Sequence, residues 1–98
     1  MTLEEMAALF EKYGKTDYIK FDRVERKRSR RPDLHAFLLL DELVPGARDI
    51  VCGSQHDVFY LDVEPGDLAA VVTDAQVLEL VRCGVMHSEA DECLRMFS

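Results

Sequence analysis

Residues 57–84, DVFYLDVEPGDLAAVVTDAQVLELVRCG, constrain this chain more than any other stretch, because they set a strand and two helices in succession with a stop between each. Val58 to Val63 alternates, with Phe59, Leu61 and Val63 facing one way and Val58, Tyr60 and Asp62 the other, the period of a half-buried strand. Pro65 and Gly66 end that strand, and Asp67 to Val72 is apolar enough for a short helix. Thr73 followed three residues later by Gln76 is the signature of a capping box, in which each residue's side chain satisfies the other's free backbone N–H. Val77, Leu80 and Val81 then share one helical face, Arg82 suits the last turn, and Gly84 suits a left-handed stop. Every one of these signals is structural, and none is catalytic.

The rest of the chain supplies partners for this frame. Thr2 and Glu5 repeat the capping-box pattern, and Leu3, Met6, Ala7 and Phe10 mark an amphipathic helix over 3–13. Pro32 fits a first helical position with Asp33 beside it, and LHAFLLLDELV then predicts a helix over 33–44. Phe37 to Leu40 are four successive apolar residues that cover most of a helix circumference, so this helix is expected to be the most buried. His35, near its first turn, reads as a packed or surface histidine. Strands are expected at 50–54 and 58–63, and again at 85–88 and 93–97 on either side of the polar SEADE, making two hairpins. Gly53 marks a weak point or bulge in the first. Between the first two helices, Tyr18, Phe21 and Val24 suit a helix by spacing, while Tyr18 to Phe21 also suits a short strand.

These elements predict one α+β domain over 1–98, with helices on one face of a small, mainly antiparallel sheet. The expected core is Phe37, Leu38, Leu40, Phe59, Leu61, Val77 or Leu78, Leu80, Val81, Leu94 and Met96.

Charge is placed unevenly. Residues 1–31 hold nine Lys/Arg against six Asp/Glu, and residues 32–98 three against thirteen, within a net charge of −7. An acidic body repels phosphate backbones at long range and makes nucleic acid the less favoured partner. Three cysteines, Cys52, Cys83 and Cys93, do not make a paired secreted framework, and the chain opens on the charged TLEEM rather than a secretory leader. The longest apolar run is too short for a membrane span. A cytoplasmic, reduced protein with no membrane partner is expected.

The exception to the acidic body is RVERKRSRR, where Arg23, Arg26, Lys27, Arg28, Arg30 and Arg31 stand against Glu25. The plain reading is a solvated, exposed face. The functional reading is a contact for nucleic acid or for an acidic surface, including a second copy of the chain. No aromatic interrupts residues 22–31, so a stacking platform for single strands is not indicated.

Candidate chemistry is sparse. Cys52-Gly-Ser-Gln-His56 and Cys83-Gly-Val-Met-His87 share one spacing, and two thiolates with two imidazoles suit zinc. Cys83, however, falls at a helix end where a small buried residue is expected, and free cysteine is a good core residue. Cys93 follows Glu89, Asp91 and Glu92, which would raise its pKa and blunt it as a nucleophile. Asp57, Asp62, Glu64 and Asp67 gather around one strand end; carboxylates so placed can move protons or hold Mg²⁺, and equally form an ordinary acidic surface. There is no phosphate loop and no nucleophile elbow. Neither a metal nor a cofactor is expected, nor enzymatic activity.

The HDVFYLDVEP and LVRCGV stretches resemble small proteins carried by phages, prophages and other mobile elements, over roughly residues 50–98. The resemblance implies no catalytic residues. It implies a setting in which short acidic proteins bind and block host complexes, as anti-CRISPR proteins do. The expected function is therefore a non-enzymatic protein-binding module, an inhibitor acting through Asp57, Asp62, Glu64, Asp67 and Glu79. The alternative places function in Arg23, Arg26, Lys27, Arg28, Arg30 and Arg31, contacting nucleic acid or pairing two copies.

Overall fold

Both capping boxes form. In the computed structural model, which describes residues 1–90 and 92–97, Thr2 Oγ1 accepts from Glu5 N–H at 3.1 Å and Thr2 N–H donates to Glu5 Oε1 at 2.8 Å. Thr73 and Gln76 repeat the exchange at 3.2 and 2.9 Å. Such caps are each worth about 0.5–2 kcal/mol. They start α1 (Leu3–Gly14) and α4 (Asp74–Arg82); between them lie α2 (Pro32–Leu43), β1 (Val51–Gln55), β2 (Val58–Leu61) and α3 (Pro65–Val71), and β3 (Met86–Ser88) and β4 (Cys93–Phe97) follow. Asp91, part of the expected polar turn, and Ser98 lie outside the described residues.

The four strands form one antiparallel sheet in the order β1-β2-β4-β3, so the two hairpins meet through β2 and β4. Phe59 pairs with Met96 and Leu61 with Leu94, while Leu94 also pairs with His87. This register puts five side chains on one face, and helices cover it: Phe37 of α2 meets Phe59 edge-on, and Phe10 of α1 lies 6.2 Å from the His87 ring. The predicted bulge appears as a register shift between Val51 and Gly53. Pro65 opens α3 at its first position, and Gly84 ends α4 with φ 98°, the left-handed value that suits glycine.

The core joins Met6 and Phe10 of α1, Ala36, Leu39 and Leu40 of α2, Leu68 of α3, Val77, Leu80 and Val81 of α4, and Leu61, Leu94 and Met96 of the sheet. Three expectations are corrected. Leu38 is 44 % exposed and leaves the core to Leu39, because α2 is buried on one side only: His35, Ala36, Leu39 and Leu40 turn inward while Leu34 and Leu38, one turn apart, face out. Phe37 and Phe59 are half-buried against the core rather than inside it. The strand expected to reach residue 63 stops at Leu61, since Val63 N–H donates back to the Leu61 carbonyl at 2.9 Å and curls the chain out of the sheet.

Residues 15–24 are neither helix nor strand beyond a 3-10 turn at Phe21–Arg23. A long-range bond decides this: Ile19, at φ 59°, donates its N–H to the Val81 carbonyl at 3.2 Å. A β-branched residue in that region is strained. Among the described residues no helix is long and apolar enough to cross a membrane.

Candidate functional site

The five acidic residues singled out from the sequence take different places. Asp57 sits exposed in the two-residue turn joining β1 and β2. Asp62 accepts both arms of the Arg48 guanidinium, at 2.8 and 3.1 Å. Glu64 caps α3 by accepting from Gly66 N–H at 3.3 Å, and Asp67 is exposed in the first turn of the same helix. Glu79 stands apart on α4, 2.6 Å from Nε2 of the fully buried His35. The structure thus brings Asp62, Glu64 and Asp67 together along one hollow of about 410 Å³, and gives Glu79 to the packing of α2 on α4.

A second groove, of about 360 Å³, adjoins this hollow through Glu64, Pro65 and Glu92. Glu4 of α1, Glu64 before α3, and Glu89 and Glu92 of the β3–β4 turn surround it, over a floor of Leu3, Ala7 and Pro65. Among the described residues no lysine or arginine lines it. His87 does, half-buried, and burial pulls its pKa down against the opposing pull of Glu89, so the ring does little to offset the carboxylates at neutral pH. Carboxylates around an apolar floor match an ammonium or guanidinium carried on an apolar stem. Of these carboxylates the sequence singles out only Glu64; Glu4 falls within the helix expected over 3–13, and Glu89 and Glu92 within the polar SEADE. The three segments that meet here lie far apart in the chain, and no local pattern announces the meeting.

Three of the six basic residues, Arg23, Lys27 and Arg28, are tied down. Asp17 receives Arg82 Nε at 2.8 Å and Arg23 Nη1 at 3.4 Å, and the Arg82 bond above all holds its carboxyl below the ordinary value. Arg82 Nη1 also donates to the Arg23 carbonyl at 3.2 Å. Lys27 donates to the Val24 carbonyl and lies over the Phe21 ring. Arg28 N–H donates to His35 Nδ1 at 3.0 Å, which leaves the ring proton on Nε2 to face Glu79, and the Arg28 guanidinium pairs with Glu42 at 2.6 Å. Arg26, Arg30 and Arg31 remain exposed.

The two Cys-Gly-x-x-His stretches lie in unlike surroundings. Cys52 and His56 are exposed, whereas Cys83 is buried and burial pushes its thiol up to about 12. Among the described residues no group of three or more His, Cys, Asp or Glu side chains is placed to hold a metal ion. No protein-family model matches this sequence, and comparisons with curated proteins and with solved structures gave no match.

Proposed function

We propose that this protein is a non-enzymatic binding module that takes a basic surface of another macromolecule into the acidic groove between α1, α3 and the β3–β4 turn. The observation that carries this reading is the groove's lining: Glu4, Glu64, Glu89 and Glu92 surround one concavity, with no lysine or arginine in its wall among the described residues. Asp62 and Glu79, by contrast, already hold Arg48 and His35. A field of one sign speeds encounter with a complementary partner and rejects others. A basic channel that ordinarily holds nucleic acid has the matching chemistry, and an inhibitor of a bacterial defence complex would act by occupying one.

The test is binding to immobilised basic channel proteins, with charge reversed in each region separately. Glu4→Lys, Glu89→Lys and Glu92→Lys together should abolish binding, while Arg26→Glu, Arg30→Glu and Arg31→Glu should leave it. Glu64 is left in place because it caps α3. The opposite pattern, with nucleic acid retained by the unaltered protein and released steeply by salt, would transfer the function to the three exposed arginines.

A further inference from the structure

The sheet's other face carries a cation that has no ion-pair partner among the described residues. The pairs Val58–Phe97 and Tyr60–Arg95 place these four side chains together, pointing away from the face that holds Leu61 and Leu94. Val58, Tyr60 and Arg95 are half-buried and Phe97 is 52 % exposed. Among the described residues Arg95 Nε is buried without an acceptor and the guanidinium makes no ion pair. Its charge instead lies 5.8 Å from the centre of the Phe97 ring. In a chain with nineteen Asp/Glu, a half-buried arginine that meets none of the described ones stands out.

A buried donor left unsatisfied is costly, and a guanidinium is suited to a carboxylate or phosphate held in the plane of its fork. An arginine beside an exposed aromatic is also the composition of an interface hot spot. We propose that this face receives a protein segment bearing one carboxylate between apolar side chains, the carboxylate on Arg95 and its neighbours on Phe97, Tyr60 and Val58. A phosphate polymer fits less well, because the net charge of −7 repels a polyanion at long range and a single carboxylate far less. None of these four residues lines the acidic groove, so this contact has the opposite polarity and stands independently of it.

The experiment is an NMR titration of the full, ¹⁵N-labelled chain with the blocked tripeptide Leu-Asp-Leu, with blocked Leu-Asn-Leu and with a short oligothymidylate. The Asp peptide should move the Arg95 Nε–Hε resonance and the Tyr60 and Phe97 amides saturably. Binding should weaken about tenfold or more with the Asn peptide or with Arg95→Met. Should Arg95→Met fail to fold, Arg95→Lys makes the same comparison by keeping the charge without the planar fork, and it too should weaken binding. Equal response to the Asp and Asn peptides, no response at about 10 mM, or a response at Arg95 to the oligothymidylate alone would each overturn the proposal.

Discussion

Cys52-Gly-Ser-Gln-His56 and Cys83-Gly-Val-Met-His87 have the same spacing and opposite fates. The first lies on β1, every residue of which is exposed, and ends in a turn where His56 takes φ 57°. The second begins at the end of α4, where Cys83 N–H reaches the Glu79 and Leu80 carbonyls, and it runs inward through Gly84 and Val85 to a half-buried His87. What separates them lies outside both motifs. A capped helix delivers the second into the core under Phe10, while the first belongs to a sheet edge whose residues are all exposed. Spacing proposes a set of ligands; surroundings decide whether those side chains can ever meet.

The comparison can be broken or sharpened by experiment. The largest expected effect is on the packing beneath the second motif: Leu80→Ala should cost about 2–5 kcal/mol in denaturant unfolding, against about 0.5 kcal/mol or less for Val51→Ala on β1. Equal losses at the two positions would mean that the edge is not the exposed strand described. The glycines come next. Gly84→Ala forces a side chain onto φ 98° and should cost about 1–2 kcal/mol, whereas at Gly53 an added Cβ meets only Tyr60 Cδ2 at an ordinary 3.8 Å and should be nearly neutral.

The second motif should also respond to acid. His87 has a folded pKa below its ordinary 6.5, because burial disfavours its charged form, so the stability linked to it is present above that pH and is lost as pH falls through the lower, folded value. His87→Gln should flatten the melting-temperature profile in that window. Asp17, lowered from 3.8, adds a separate loss at more acid pH that this variant keeps. The smallest effect on stability comes from the thiols: brief iodoacetamide treatment at neutral pH should label Cys52 and spare Cys83, as peptide mass spectrometry would show.

What could be read in advance follows from range. The capping boxes, the β2 alternation, the bulge at Gly53 and the stop at Gly84 depend on residues within a turn or so of one another, and each is present. Leu38 was misplaced because a run of four apolar residues names no face, and only the packing of α2 chooses Leu39 instead. The acidic face is legible as charge, yet three of its five named members serve the fold: Asp62 holds Arg48, Glu64 caps α3 and Glu79 holds His35. The groove itself needs Glu4 and Glu92 around one concavity, which no window of sequence contains. For the same reason Arg23, Lys27 and Arg28 read as a free basic run, although their partners include Asp17, the Val24 carbonyl and Glu42.

The bond from Asp17 to Arg82 spans 65 residues, and that has a consequence in time. Loop-closure entropy makes such a contact a poor starting point for folding, unless something shortens the loop first. Docking of α1 on α4, where the Tyr13 hydroxyl donates to Asp74, brings both ends of that loop together in advance. The ties of Asp17 to Arg82 and Arg23 are then expected to close only after this pair of helices exists, late on the route to the native state. In a chevron experiment Asp17→Asn should steepen escape from the native state by raising the unfolding rate, while the refolding arm stays where it was.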